Sequence, residues 1–455
     1  MVISASEIAG RLDRLPANSA AWTRVALLSL GGFFEFYDMF LSGYVAPGLV
    51  HAHVLALTTK GFFDANGVAG FVASFFFGLF IGTALLGFLA DRFGRRVIFT
   101  LSLLWYMAAS AVMALQTTAL GLDLWRFLAG AGVGVELVTI DTYIAEIVPK
   151  EFRGRAFALN QIVQFTAIPI VAFLAWLLVP EKPFGIDGWR IVVLIGSLGA
   201  GVVWWIRLRV PESPRWLARN GRPEDADRIV SRWEAAAGGA RLAAALEEIP
   251  DEEHGRFVDI FRAPYLTRTL MLIVFNIFQT VGFYGFSNWV PAFLIKQGIA
   301  VTASLGYTFI IAVAAPVGPA LAWFFTDRFE RKWLIVAGAL GVAVFGLAFG
   351  QMREPAPLIL FGVLLTLANN FMSFSFHAYQ PELYPTRIRG RAVGFVYSFS
   401  RLSAVLSSFI IAFALGNFGV AGVFALIAAS MLIVAAVIAA FGPRTRNLAL
   451  EAISH

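Results

Sequence analysis

The sequence predicts an all-α integral membrane protein with twelve transmembrane helices in two six-helix halves. Three observations predict it: twelve apolar stretches of membrane-crossing length, a lopsided placement of basic residues around them, and two motifs that recur at a single offset.

The chain has 455 residues, 59% of them hydrophobic and 14% charged. Soluble proteins rarely exceed about half apolar residues, and here the excess is gathered into long runs, the pattern of membrane spans. With no cysteine there is neither a disulfide framework nor a thiolate site. The first 24 residues contain Glu7, Arg11, Asp13 and Arg14 and lack an apolar core before a small-residue cleavage site, so no cleaved signal peptide is expected.

Stretches able to cross about 30 Å of hydrocarbon run over 25–49, 65–90, 97–116, 122–147, 155–179 and 190–208. They resume over 267–294, 303–326, 333–350, 357–381, 392–416 and 419–441. The expected units are a six-helix bundle over 1–208, a charged linker over 209–265 and a second bundle over 266–455. The linker carries Pro211, Pro214, Pro223 and Pro250 and is amphipathic over 224–249. It reads as short surface helices, either solvated or offering a face to a partner.

Twelve spans put both termini on one side. If that side is cytoplasmic, 28 of the 35 basic residues fall on it. Lys60, Lys182, Arg190, Lys296 and Arg353 fall opposite, and Arg126 and Arg401 within spans. This is the positive-inside distribution, so the net charge of +6 is a topology signal and not a nucleic-acid footprint.

The sequence G-F-L-A-D-R-F-G-R-R at 87–96 recurs as W-F-F-T-D-R-F-E-R-K at 323–332, with Asp91 and Asp327 separated by 236 residues. A-E-I-V-P-K-E-F-R-G-R-A at 145–156 recurs as P-E-L-Y-P-T-R-I-R-G-R-A at 381–392. Glu146 and Glu382, and Arg153 and Arg389, are again 236 apart. A shared offset means duplicated halves of parallel topology. They pack about an axis along the membrane normal, with a substrate site between them near mid-membrane.

Each D-R-x-x-R/K segment lies in a short loop between the second and third helices of its half. A carboxylate there can cap a helix N-terminus, and the arginines can reach acidic groups on neighbouring helix ends. Asp91, Arg92, Arg95, Glu146 and Arg153, with Asp327, Arg328, Arg331, Glu382 and Arg389, form the expected cytoplasmic gate. Glu212 and Arg215 in P-E-S-P-R join it. They are expected to latch that side in one conformation and release it in the other. The alternative is that the arginines serve topology alone.

These motifs resemble the signature of the major facilitator superfamily over essentially the whole chain. R-F-L-A-G-A-G-V-G at 126–134 resembles its fourth-helix motif, and P-E-S-P-R at 211–215 its sugar-porter and organic-ion branch. The second copy departs at Glu330, where the first has Gly94.

Ionisable groups inside spans are functional candidates by default. The first span carries Glu35 and Asp38, the fourth Arg126, Glu136 and Asp141, the tenth His377 and the eleventh Arg401. A buried carboxylate facing an arginine is ionised, and when the two separate it binds a proton, which makes a coupling switch. G-G-F-F-E-F-Y-D at 31–38 resembles the first-helix motif of proton-linked sugar porters. The resemblance implies that Asp38 pairs with Arg126 and carries the proton. A static ion pair is the alternative. Glu35 matches no position of that motif and its role is open; Glu136 and Asp141 are further coupling candidates.

Asn276, Thr280, Tyr284 and Asn288 recur every four residues on the seventh span, with Gln279 beside them; Asn369, Ser373 and His377 do so on the tenth. Such spacing aligns one face, which must meet protein or a water-filled cavity. Gln161 resembles a sugar-contacting glutamine of the sugar porters. Arg401, in S-F-S-R-L-S, resembles the eleventh-helix arginine of organic-anion transporters, and a guanidinium there suits a carboxylate bound bidentately. F-Y-G-F-S-N-W-V-P at 283–291, which includes Trp289, resembles the seventh-helix motif of bacterial niacin and aromatic-acid transporters. G-V-E-L at 134–137 resembles part of their fourth.

The expected function is proton-coupled import of a small organic anion, an aromatic or heteroaromatic carboxylate such as nicotinate. A sugar or polyol symporter, a drug or organic-cation antiporter and a receptor without flux are the alternatives. No nucleophile–base set, zinc spacing or phosphate loop points to an enzyme. No cofactor or metal is expected, the proton gradient being the driving force. The expected setting is a bacterial inner membrane with both termini cytoplasmic. The chain would act there as a lipid-embedded monomer that binds substrate and protons and no nucleic acid.

Overall fold

A computed structural model describes residues 4–16, 18–59, 61–86, 89–149, 153–207, 210–237, 257–326 and 329–445. The first half comprises α2 (Ser19–His51), α3 (Val68–Ile81, continued by a π-turn over Gly82–Leu86), α5 (Arg95–Met113), α6 (Ala119–Ile147), α7 (Arg153–Leu178) and α8 (Gly188–Arg207). A short α4 (Leu89–Phe93) joins the second span to the third. The second half comprises α11 (Tyr265–Ser287) with α12 (Val290–Lys296), α13 (Val301–Ala312) with α14 (Val317–Thr326), α15 (Arg331–Gln351), α16 (Pro355–Tyr379) and α17 (Thr386–Phe441).

Starts follow local chemistry. Asn18 caps α2 by accepting from the Ala21 N–H at 2.9 Å, and Thr118 caps α6 by accepting from Gly121 at 3.2 Å. The 56 residues of α17 would extend about 84 Å as one rod. The helical dihedrals break at Gly419 (φ 66°, ψ −168°), which divides α17 into the eleventh and twelfth spans. Leu198, Val344 and Leu432 are exposed on the outside of spans, as contact with lipid requires.

Two spans expected to be continuous are broken. The seventh breaks at Asn288–Trp289, because Pro291 cannot donate to the carbonyl of Ser287; the eighth breaks over 313–316, where Pro316 leaves Ala312 without its donor.

The second and fourth spans approach backbone to backbone. A Cβ on Gly78 would overlap the Phe127 carbonyl, and one on Gly130 the Phe75 carbonyl. This small-residue contact is what the glycines of 126–134 supply, since packing and not hydrophobicity joins helices in lipid.

The N-terminal segment holds a helix that the sequence reading passed over, α1 (Ala5–Asp13). It docks on α9 (Pro214–Arg219) and α10 (Pro223–Ala236), two described helices of the linker, which also holds a 3-10 turn over Phe257–Phe261; residues 238–256 lie outside the described residues. Ile8, Leu12 and Leu15 pack with Leu217, Ala226 and Val230. Arg11 is buried among them, donating to Glu234 at 2.9 and 2.7 Å and to Ser231 at 2.9 Å, and paired with Asp227. The Glu234 hydrogen bonds hold its guanidinium protonated beyond the usual arginine range, against the opposing effect of burial.

Adding a methyl at Gly78 forces the second and fourth spans apart, an overpacking cost of about 1–3 kcal/mol. Gly78→Ala is expected to lower the apparent Tm of the purified protein by several degrees. Gly394→Ala, whose methyl meets no atom within 4 Å, is expected to leave it unchanged or raise it slightly.

Candidate functional site

Between the halves lies a cavity of about 630 Å³. Its floor near mid-membrane is set by Met39 and Tyr284, and its wall continues to Gly154, Arg331, Gln380 and Pro381 on the face that carries α1, α9 and α10. That face is called the basic face below. Toward the opposite face the halves meet through rings. Trp176 stacks on Phe309 at 5.9 Å and 9°, Phe63 meets Phe409 at 5.2 Å, Phe62 meets Phe413 at 5.7 Å and Phe40 meets Phe283 at 6.3 Å.

Arg401 is buried in the cavity wall. Its Nη1 donates to the Tyr284 hydroxyl at 2.8 Å and its Nη2 to the Tyr397 hydroxyl at 3.2 Å, with the guanidinium 4.8 Å over the Tyr397 ring. The Tyr397 hydroxyl also lies 3.3 Å from His377 Nε2, and His377 Nδ1 is 2.7 Å from the Ser373 carbonyl. Glu35 is fully buried on α2 and lies outside the cavity lining. Gln161, Gln279, Tyr284, His377 and Arg401 thus share one cavity, together with Asp141.

Asn288, Trp289 and Asn369 are buried outside that lining. The break after Ser287 turns Asn288 toward the first span, where its backbone carbonyl packs on Gly43. Asn276 and Thr280 bond back to the carbonyls of Leu272 and Asn276, so part of that stripe satisfies its own helix. Sequence reading missed Tyr397 and Gln164, although each lies one turn from a residue it had chosen, Arg401 and Gln161. It also passed over Asp123, a buried carboxylate one turn before Arg126.

Arg126 and Asp38 are buried together outside the cavity lining. Arg126 Nη1 donates to Asp38 Oδ1 at 2.9 Å, its Nη2 to the Asp38 carbonyl and its Nε to Ser42 at 2.9 Å. Ser110 donates to Asp38 Oδ1 at 3.3 Å, and Phe75 lies 4.2 Å beneath the guanidinium. Asp38 Oδ2 is buried without a hydrogen-bond partner among the described residues. Glu136 is fully buried on α6, while Asp141, farther along the same helix, is exposed to the cavity and accepts from Asn160 at 3.5 Å.

On the basic face Arg95 donates to Glu146 at 3.0 Å, and Arg331 pairs with Glu382 at the equivalent place in the second half. Glu212 accepts from the N–H groups of Arg95 and Arg96 at 3.0 and 3.1 Å. Burial pushes the Glu212 carboxyl above the usual carboxylate range, and the N–H donors of Ser213, Arg96 and Arg95 pull it back. Asp13 joins Arg215 at 2.7 Å to Arg153 at 4.0 Å; Arg389 donates to the Tyr384 carbonyl at 3.1 Å. Arg92 is exposed over Phe93. Asp91 is helical, its side chain outside the description, and Asp327 and Arg328 lie outside the described residues.

Among the described residues, the ion pairs of the expected gate are made inside each half in this conformation, in which the cavity reaches this same face. The Gly94/Glu330 difference also has a physical reason. Gly94 has φ +103°, and a Cβ there would meet Glu212, whereas Glu330 has φ −65° and accepts from the Thr445 N–H at 3.0 Å.

Two six-helix halves enclosing a central cavity are the architecture of a major facilitator transporter. The chain belongs to that superfamily's sugar (and other) transporter family, which residues 25–455 match; it is a multi-pass membrane transporter and not an enzyme. It is 31% identical over 445 residues to a Bacillus subtilis protein, YyaJ, named provisionally as a metabolite transport protein, covering 97% of this chain and 96% of that one. It is 28% identical over 450 residues to the niacin transporter NiaP of Acinetobacter baylyi, covering 98% and 99%. The partially occluded inward-open structure of the Escherichia coli xylose transporter XylE superposes with a TM-score of 0.77 at 21% identity. It covers 95% of this chain and 100% of that one, a likeness that establishes the fold.

Leaving one member of a buried ion pair alone costs about 3–5 kcal/mol. Arg126→Leu is expected to lower the apparent Tm sharply, and adding Asp38→Asn to recover part of the loss. Thermal melts of the single and double variants check this, and additive losses would mean that the two side chains do not act as a pair.

Proposed function

We propose that this transporter is a proton-coupled importer of a small organic anion, an aromatic or heteroaromatic carboxylate such as nicotinate. The observation that carries the reading is Arg401: a guanidinium in the cavity wall, oriented by two tyrosine hydroxyls and surrounded by aromatic side chains. Its geometry suits bidentate pairing with a carboxylate, and Phe36, Phe165 and Phe283 offer ring contacts to an aromatic body. The relatives named as niacin transporters support the same class.

By the positive-inside rule the basic face is cytoplasmic. The protein is then a bacterial inner-membrane monomer with both termini inside, and the cavity is open inward. Asp38 and Arg126 are the coupling pair. When Arg126 is drawn away, Asp38 is left in a buried, apolar setting where taking up a proton is favoured. Glu35 and Glu136 remain candidates for a relay. The ion pairs inside each half keep its cytoplasmic end stiff, so the halves rock as bodies about the central cavity.

A second reading, a sugar or polyol symporter, is favoured by four amides on the cavity wall, Gln161, Gln164, Gln279 and Gln380, whose donors and acceptors suit hydroxyls.

Uptake into proteoliposomes of nicotinate, benzoate, a pentose and an organic cation, with and without an inward proton gradient, separates these. Gradient-driven carboxylate uptake is expected. It should fall by roughly 10- to 100-fold in Arg401→Ala, since a hydrogen bond to a charged group is worth about 1.5–3 kcal/mol. Asp38→Asn should abolish the response to the gradient. Pentose uptake that ignores the Arg401 substitution would overturn the anion reading.

A further inference from the structure

The cavity presents opposite charges on opposite walls. Asp141 comes from the first half, on α6, one turn beyond Leu137, which lines the same wall. It is exposed to the cavity, with Asn160 Nδ2 3.5 Å from its Oδ1. Arg401 comes from the second half, on α17, and is oriented by Tyr284 and Tyr397. Asp141 and Arg401 thus line one cavity from different halves, and their hydrogen bonds go to Asn160 and to the two tyrosines, not to each other. The other charges nearby are engaged elsewhere. Arg331 is paired with Glu382, and Glu35 is fully buried outside the cavity lining.

We propose that the site selects carboxylates that also carry a cationic nitrogen, with the carboxylate on Arg401 and the nitrogen on Asp141. This rests on the reading of Arg401 as the anion site and narrows the substrate class. A plain monoanion would pair with Arg401 while facing Asp141 as a like charge, and such juxtapositions discriminate by repulsion as well as by lost attraction. A ligand with both charges touches both halves. It therefore interacts differently with the arrangements in which the halves are near and far apart, which is what a transported ligand must do to shift the equilibrium between them. Nicotinate belongs to this class when one proton is shared between its ring nitrogen and the Asp141 carboxylate.

The test is equilibrium binding to the purified full-length protein, with no membrane gradient, so that proton coupling cannot enter. The probes are benzoate, 1-methylpyridinium-3-carboxylate and 1-methylpyridinium-3-carboxamide. The betaine is expected to bind at least tenfold more tightly than benzoate, and the carboxamide, which lacks the anion, to bind weakly. Asp141→Asn is expected to weaken the betaine and tighten benzoate, reversing or erasing the preference. Equal binding of betaine and benzoate by the wild-type protein overturns the inference while leaving the anion site standing, and it does so whether or not the variant folds. Equal weakening of both acids by Asp141→Asn also overturns it. Carboxamide binding as tight as the betaine, unchanged in Arg401→Ala, overturns the anion reading itself, and the inference falls with it.

Discussion

A charge inside a membrane span has no water to turn to, so the protein must satisfy it. Arg126 sets these terms for the first half. Its guanidinium uses the Asp38 carboxylate, the Asp38 carbonyl, the Ser42 hydroxyl and the face of Phe75. That arrangement fixes the first span against the fourth and the second. The close backbone contacts at Gly78 and Gly130 hold the second and fourth spans near enough for Phe75 to lie beneath the guanidinium.

The two halves share a scaffold and differ in what they hold. On the basic face Arg95–Glu146 and Arg331–Glu382 are the same pair at the same offset. In mid-membrane the duplication has diverged. Counting from Arg153 and Arg389 along their helices, Phe165 stands where Arg401 stands, and both line the cavity. One copy offers a ring to the cavity and the other a guanidinium.

Much of this was legible in the sequence because membrane chemistry is restrictive. Apolar length gives the spans, and an ionisable group within a span marks itself as a candidate, although it was the resemblance of the first-helix motif that matched Arg126 to Asp38. The repeated motifs located the ion pairs of both basic ends. What was not legible depends on where a polar stripe faces. Asn276, Thr280, Tyr284 and Asn288 have one spacing, yet only Tyr284 reaches the cavity lining. The helix break before Pro291 diverts Asn288, and intrahelical bonding absorbs Asn276 and Thr280. The docking of α1 through Arg11 was hidden for a different reason. Its partners Asp227 and Glu234 are more than 200 positions away, and no periodicity connects them.

The aromatic contacts on the face opposite the termini have an energetic consequence. Trp176 on Phe309 and Phe63 on Phe409 are ring-on-ring contacts. Parting two phenylalanine rings strands no donor or acceptor in hydrocarbon, and of these four side chains only Trp176 carries a donor, its indole N–H, whereas parting a hydrogen-bonded seam would leave several polar groups bare. A seam made mostly of phenylalanine can therefore open with little polar desolvation cost.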